Sequence, residues 1–295
     1  MTHLSFGGTV IHATNHPLGT IFQHTFPCLI SLDLGSLIVC DEPDWSRQSL
    51  TRFLLNNPTI QHLSLGKERP IRNIFFDLDP PLLSPGFLPD LRSFEGFPEN
   101  MGVMAGAQLQ CLDRLQSLAL VSTEDQLQDM ESMFSALSGR IFPSVQRLHV
   151  ELYSELSHRM HSNVTFLSHI NCMQFGFGNL CPNATEIFAK LPPTYGVSRL
   201  FYCCGVHVPH CIFTGSQDTL GRLFASYKNL ERLSIPLLCL SLNMSANQTE
   251  FFGPIAQQCP KLQTVNARKP GLQNEDIVFS LCRDDGGNLV GVSGA

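Results

Sequence analysis

A short pattern of apolar and polar positions recurs along this sequence. Its template opens with an apolar residue, often followed by proline, and continues as apolar-x-x-apolar-x-apolar. Counted at the second residue, the clear copies lie at positions 27, 58, 89, 113, 143, 228 and 260. Weaker copies of the second half begin at Ile170 and Val197, and Cys181–Ala184 imitates an opening, so the register between 160 and 200 stays open. Such recurrence predicts a stack of similar structural units.

The end of each copy alternates between apolar and polar residues, which predicts a short strand with one buried and one exposed side. Helical spacing of apolar residues precedes several copies, over 45–55, 127–137, 220–227 and 251–257. A unit of helix, turn and strand cannot bury its apolar side alone, so neighbouring units must stack on one continuous core. We therefore predict an α/β leucine-rich-repeat solenoid with a parallel concave sheet, convex helices and irregular repeats of about 24–33 residues.

The two ends of the chain do not continue the pattern. The first residues are rich in glycine, threonine and histidine, and the last ones contain an Asp-Asp-Gly-Gly run. We expect an irregular N-terminal segment over 1–24, the solenoid over 25–270 and a loose C-terminal tail over 271–295.

The polar residues between the paired apolar positions are expected to face the concave side of the sheet. A solenoid binds partners on such an extended surface without a cofactor. The hydroxyl, amide, imidazole and charged groups there suit contacts with a protein, and the alternative is a solvated sheet surface with no partner. The candidate partner-binding residues are Asp33, His62, Ser64, Ser117, Arg147, His149, Arg232, Ser234 and Asn266.

Composition excludes several classes of protein. The 295 residues are 43% apolar and 15% charged, which is too little polarity for a disordered chain. A net charge of −6 with 19 lysine and arginine residues argues against a nucleic-acid or anionic-membrane surface. No window approaches the roughly 18 apolar residues of a membrane span, and the start lacks the features of a signal peptide. We expect a cytoplasmic or nuclear protein.

The cysteines number 11 and are scattered, which favours reduced, buried thiols over a disulfide framework. One stretch nevertheless collects residue types that bind zinc. It has no Cys-x-x-Cys pair, and adjacent cysteines in a strand point to opposite sides. A zinc-binding or enzymatic protein centred on this stretch is therefore an alternative hypothesis. Its candidate ligands are Cys203, Cys204, His207, His210 and Cys211.

Motifs of common enzymes are missing from the sequence. There is no Gly-x-Ser-x-Gly elbow of a serine hydrolase. The Gly-x-Gly within Phe175–Asn179 has no third glycine, and no glycine loop is followed by a Walker lysine. We predict a non-enzymatic protein without a cofactor. A third hypothesis is a degenerate gene fragment that retains no activity.

The phrases Asn57–Leu65 and Cys259–Val265 resemble the degenerate repeats of fungal F-box/leucine-rich-repeat proteins, most of all those of mushroom-forming fungi. The resemblance covers roughly residues 20–270. It rests on the order of apolar and polar positions in the repeat and not on a single diagnostic motif. In that family an N-terminal F-box module binds the Skp adaptor of a cullin ubiquitin ligase, and the repeats capture a substrate.

No F-box-like opening precedes Phe26 in this sequence, so no adaptor-binding residue is assigned. The resemblance implies the substrate-recognition half of such a ligase subunit, whose partner is an unidentified protein. The Skp adaptor and cullin would join only if an F-box is supplied elsewhere.

Overall fold

The protein folds into two compact units, Met1–Val145 and Gln146–Ala295. Both combine strands with helices, so the α/β class is confirmed. The architecture comes from a computed structural model. It describes residues 1–6, 10–11, 18–34, 38–39, 47–66, 78–123, 133–137, 140–153, 180–190, 224–236, 248–268 and 276–294.

The first unit alternates short strands with helices. Its strands are β1 (His3–Ser5), β2 (Val10–Ile11), β3 (Ser31–Asp33), β4 (Ile38–Val39), β5 (His62–Ser64), β6 (Ser93–Gly96) and β7 (Ser117–Thr123). Its helices are α1 (Leu18–Ile21), α2 (Arg47–Asn56) and α3 (Pro98–Gly106), with 3₁₀ helices at Pro80–Leu82 and Gln110–Arg114. Strands β1, β3, β5, β6 and β7 lie side by side in that order and are parallel. Strands β2 and β4 form a separate parallel pair.

The second unit has a mixed sheet that is also mainly parallel. Its strands are β8 (Arg147–Tyr153), β9 (Glu186–Lys190), β10 (Arg232–Pro236), β11 (Thr264–Arg268), β12 (Asp276–Arg283) and β13 (Leu289–Gly294). Its long described helix is α4 (Gln248–Gln258). Strands β8 to β11 are parallel neighbours in chain order, and β12 and β13 follow as antiparallel neighbours. The predicted parallel sheet is therefore confirmed for most strands.

Apolar residues of neighbouring strands lie in register on the buried side of each sheet. In the first unit this buried row is Leu32, Leu63, Phe94 and Leu118. In the second unit it is Leu148, Ile187, Leu233, Val265 and Phe279. Burial of one such side chain contributes about 1.5–3 kcal/mol, so these rows are a main source of cohesion.

The same turn precedes the strand in each described copy of the repeat. The amide of the apolar residue before the strand donates to the carbonyl three residues earlier, with N···O distances of 2.9–3.4 Å. These donor and acceptor pairs are Leu29 and Phe26, Ile60 and Asn57, Leu91 and Leu88, Leu115 and Leu112, Val145 and Phe142, Ala184 and Cys181, Leu230 and Tyr227, and Leu262 and Cys259. The turn at Cys181 leads directly into β9. A copy of the repeat therefore begins at Cys181, where the sequence left the register open. The weaker copies at Ile170 and Val197 lie outside the described residues.

The repeats are also tied to one another by a recurring backbone contact. The carbonyl of Gln61 accepts from two successive amides, Arg92 N at 2.8 Å and Ser93 N at 2.9 Å. The carbonyls of Thr2, Ile30, Arg92, Gln146, Thr185 and Glu231 accept in the same way from the next strand along the sheet. The residue just ahead of one strand thus fixes the start of the next, for β3, β5, β6, β7, β9, β10 and β11.

Two predicted helices are confirmed, because α2 occupies most of 45–55 and α4 contains all of 251–257. Phe53 of α2 packs against Phe22, with 5.3 Å between ring centroids. Phe252 of α4 packs against Phe279 of β12 at 5.2 Å. Residues 133–136 are helical within the predicted 127–137, and most of 220–227 lies outside the described residues.

The prediction of an irregular segment over 1–24 is wrong at its start. Leu4 of β1 pairs in parallel with Leu32 of β3, and Phe6 N donates to Asp33 O at 3.0 Å. Three residues with one apolar position show too little alternation for a strand to be recognised. The backbone of β3 supplies the pairing that the local sequence does not encode.

The prediction of a loose tail over 271–295 is also wrong for most of its length. Strands β12 and β13 form an antiparallel hairpin, with Ser280 opposite Ser293. Its turn has Gly287 at a φ of 82°, and Asn288 N donates to Asp284 Oδ1 at 2.7 Å. A glycine-rich turn between two alternating runs is a hairpin signal, although the Asp-Asp-Gly-Gly run is equally typical of the loose tail predicted here.

Candidate functional site

The exposed side of the first unit's sheet presents two rows of mostly polar residues in register. We call these rows the first polar face. One row contains His3, Ser31, His62, Ser93 and Ser117. The other contains Ser5, Asp33, Ser64, Glu95 and Ala119. Because side chains alternate along a strand, both rows lie on the side of the sheet opposite the buried row. Every repeat therefore contributes two side chains to one surface.

The second row of the first polar face carries its carboxylates. Ser5 Oγ donates to Asp33 Oδ2 at 3.3 Å. Ser64 lies between Asp33 and Glu95 in the strand register. It is only 9% exposed, and its Oγ atom is buried without a hydrogen-bond partner. Asp33 and Glu95 are half-buried. The buried hydroxyl of Ser64 therefore lies between two partly exposed acidic side chains.

The exposed side of the second unit's sheet forms an equivalent second polar face. Its first row contains Arg147, Glu186, Arg232, Thr264 and Ser280. Its second row contains His149, Ser234, Asn266 and Val278. Arg232 Nη1 donates to Glu186 Oε1 at 3.1 Å, and these side chains are 66% and 40% exposed. An ion pair this open to solvent contributes little stability and leaves both groups accessible to a partner.

All nine candidate binding residues lie on these two faces. The first polar face holds Asp33, His62, Ser64 and Ser117. The second polar face holds Arg147, His149, Arg232, Ser234 and Asn266. Their part in partner binding stays a prediction.

Sequence reasoning missed several members of the faces, including Ser5, Glu95 and Glu186. Glu95 belongs to a copy whose last apolar position is Gly96, and a side chain at Gly96 would meet the Phe94 ring at 2.9 Å. Its position between Phe94 and Gly96 in the repeat is the signal from which its place on the polar face could have been predicted. Glu186 follows Cys181–Ala184, whose register the sequence left open.

The buried cysteines behave as core residues in the described part of the chain. Burial raises the pKa of the Cys111 thiol to about 11. It raises the pKa of Cys181 and of Cys259 to about 12. Cys259 Sγ also donates to Phe224 O at 3.3 Å. Since thiolates are the nucleophiles and metal ligands, these three protonated thiols suit packing better than chemistry at neutral pH.

The zinc hypothesis concerns residues that the structure does not describe. Its five candidate ligands, Cys203, Cys204, His207, His210 and Cys211, all lie within 191–223. The described residues hold no group of three or more histidine, cysteine, aspartate or glutamate side chains placed to bind a metal ion. Zinc binding at Cys203–Cys211 therefore stays a prediction that elemental analysis of the purified protein would test.

None of the helices in the described part of the chain is both long and apolar enough to cross a membrane. No protein-family model matches this sequence, and no curated protein matches it significantly.

Proposed function

We propose that this protein is a non-enzymatic scaffold for protein–protein interaction, built of leucine-rich repeats of the solenoid type, in which each polar face forms a concave binding surface. The observation that carries the proposal is the regular presentation of hydrogen-bonding and charged side chains, one or two from each strand, on an open sheet surface. A rigid sheet holds these groups at fixed spacing, which lowers the entropy cost of binding an extended partner.

The resemblance to fungal F-box/leucine-rich-repeat proteins supports a more specific role. In this proposal the chain acts as the substrate-recognition half of a cullin ubiquitin ligase subunit in the cytoplasm or nucleus. The Skp adaptor and cullin are partners if an F-box is supplied elsewhere. Without them, the chain is a stand-alone binding module.

The test is affinity purification of the tagged chain from cells that express it, quantified by mass spectrometry. The polar-face variant combines His62→Ala, Arg147→Ala and Arg232→Ala, all at exposed positions. We expect a partner of the wild-type chain to be recovered at least about tenfold less with this variant, equivalent to ~1.4 kcal/mol of binding.

The matched control combines His24→Ala, Arg52→Ala and Arg114→Ala, which removes the same residue types from exposed positions off the two faces. Circular dichroism verifies that both variants fold. Equal recovery with the polar-face variant and the control would contradict the proposal. Recovery of the Skp adaptor and cullin would identify a ligase subunit, and no reproducible partner would favour the degenerate gene fragment.

A further inference from the structure

Ser64 is a polar residue at a position where the fold gains nothing from it. Its side chain is buried, and its Oγ atom makes no hydrogen bond. A buried hydroxyl without a partner destabilises a folded chain, and alanine would fit the same space without this cost. The hydroxyl is therefore a candidate for contact with a molecule outside the chain.

The surroundings of Ser64 indicate the charge of that molecule. Asp33 on β3 and Glu95 on β6 flank Ser64 in register. Adjacent strands are about 4.8 Å apart, so the two acidic residues start about 10 Å from each other and their side chains can converge above Ser64. A carboxylate offers about four acceptor positions, so Asp33 and Glu95 can accept further hydrogen bonds in addition to those they already make.

We propose that Asp33, Ser64 and Glu95 form a binding site for a primary ammonium group, such as a lysine side chain on a protein partner. An ammonium group has three donors and no acceptor, which matches three oxygen-bearing side chains around one point. In this proposal, the half-buried side chains of Asp33 and Glu95 rotate to admit the ammonium group to Ser64 Oγ. The proposal rests on the proposed scaffold function, because it names the chemistry that one part of the surface recognises.

A planar guanidinium group and a metal ion fit this arrangement less well. Arginine presents its five donors in a rigid plane, whereas Ser64 lies between the two carboxylates and calls for a compact donor. For a metal ion, the described residues provide no cluster of three or more histidine, cysteine, aspartate or glutamate side chains. Charge complementarity therefore points to lysine.

The test is an NMR titration of the isotope-labelled full chain with N-acetyl-lysine-methylamide, which carries a single ammonium group. We expect saturable shifts of amides in β3, β5 and β6. The same probe acetylated on its side chain should cause none, and the arginine analogue should bind at least about threefold more weakly. Equal binding of the acetylated probe would overturn the proposal.

Variants separate binding from folding. Ser64→Ala should lower the affinity for the lysine probe at least about threefold. It should leave the midpoint of urea unfolding unchanged or higher, because it removes an unpaired buried hydroxyl. Glu95→Gln, which keeps the shape of the side chain, should lower the affinity for the lysine probe at least about fivefold. The control Asp90→Asn removes one negative charge from an exposed turn outside the face and should leave affinity unchanged. If Ser64→Ala disturbs the fold, the result for Glu95→Gln decides between the outcomes. Unchanged affinity of that variant for the lysine probe would contradict the proposed ammonium site.

The two proposals fail in different ways. If the lysine probe does not bind but the polar-face variant loses its partner, the ammonium site is wrong and the scaffold function stands. If the probe binds at Ser64 while the polar-face variant keeps its partner, the assignment of the faces as the partner surface is wrong and the ammonium site stands.

Discussion

At the scale of single residues, buried polar side chains hold irregular backbone segments of the first unit. Thr51 Oγ1 donates to Arg47 O at 2.8 Å and accepts from Asp79 N at 2.8 Å. Asn100 Oδ1 accepts from Leu78 N at 2.9 Å. Both side chains are buried, so each satisfies backbone groups that would otherwise lose their hydrogen bonds to water.

Asn57 connects two successive repeats through its side chain. Its Oδ1 atom accepts from Phe26 N of the preceding repeat, and its Nδ2 atom donates to Phe53 O at 2.7 Å. We expect Asn57→Ala to lower the free energy of unfolding by about 1–3 kcal/mol, since it leaves two backbone groups unsatisfied. Urea unfolding followed by circular dichroism measures the change.

Asn56→Ala is the control for this prediction, because Asn56 is the exposed last residue of α2 and directly precedes Asn57. It should change the free energy of unfolding by less than about 0.5 kcal/mol. Equal losses in the two variants would show that the side chain of Asn57 does not tie the repeats together.

Alternation predicted which residues point outward, but it did not predict how exposed each one is. His62 and Ser64 occupy the same side of β5, yet His62 is exposed and Ser64 is buried. The period of a strand determines the side on which a residue lies. Its exposure depends on what packs around it in three dimensions, which no local pattern encodes.

At the scale of elements, strongly periodic segments were predictable and weakly periodic ones were not. Helix α2 was predicted because Leu50, Phe53 and Leu54 form an apolar stripe, and all three are buried. Helix α3 was missed, although Met101 and Met104 are buried in it. It contains Gly102, which lowers helix propensity, so tertiary contacts stabilise this helix more than its local sequence does.

Arg283, at the end of β12, donates hydrogen bonds to α4 and to the turn after it. Arg283 Nη2 donates to Ala256 O and Cys259 O, both at 3.1 Å, and to Leu262 O at 3.3 Å. Its Nη1 atom donates to Gly287 O at 2.8 Å. The cation thus satisfies carbonyls at the C-terminal end of α4, where a positive charge is favourable.

We expect Arg283→Met to lower the free energy of unfolding by about 1–3 kcal/mol, because it leaves these carbonyls without their charged donor. Hydrogen exchange should quicken in β12 and β13 more than in β3 and β5. Arg52→Met, at an exposed position of α2, is the control. Unchanged exchange in the hairpin of the Arg283 variant would refute the role of this contact.

At the scale of the whole molecule, the two units share one repeat geometry but differ in the charge of their polar faces. The charged side chains of the first face are Asp33 and Glu95. Those on the described strands of the second face are Arg147, Glu186 and Arg232. Because polar residues in a strand face solvent without affecting the core, this difference can serve recognition without affecting the fold.

The buried thiols make the stability of the whole molecule depend on pH. A thiol has an ordinary pKa of 9.0, and burial raises the pKa of Cys181 to about 12. Above pH 9 the unfolded chain therefore releases a proton that the folded chain retains, so stability falls as pH rises towards 12. We expect each such thiol to lower the free energy of unfolding by up to ~1.4 kcal/mol per pH unit in this range.

Urea unfolding at pH 7, 8, 9 and 10 measures this fall. Cys181→Ala should reduce its slope above pH 9, because the ionisable group is gone. Cys28→Ala removes an exposed thiol and is the matched control. Identical slopes in wild type and Cys181→Ala would mean that the buried thiol does not govern the loss of stability in base.

The sequence alone determined the repeat, the parallel strands with their buried leucines, two of the helices and the side of the sheet on which the candidate residues lie. These features depend on local periodicity, and a period can be read without knowing what the chain packs against. The tertiary structure decided the pairing of β1, the C-terminal hairpin, the start of the repeat at Cys181 and the burial of Ser64. The pairing of β1 and the burial of Ser64 depend on neighbouring repeats that are distant in sequence, which no local pattern encodes. The hairpin and the turn at Cys181 are short-range features, but their sequence signals were weaker than the period of the strands and helices.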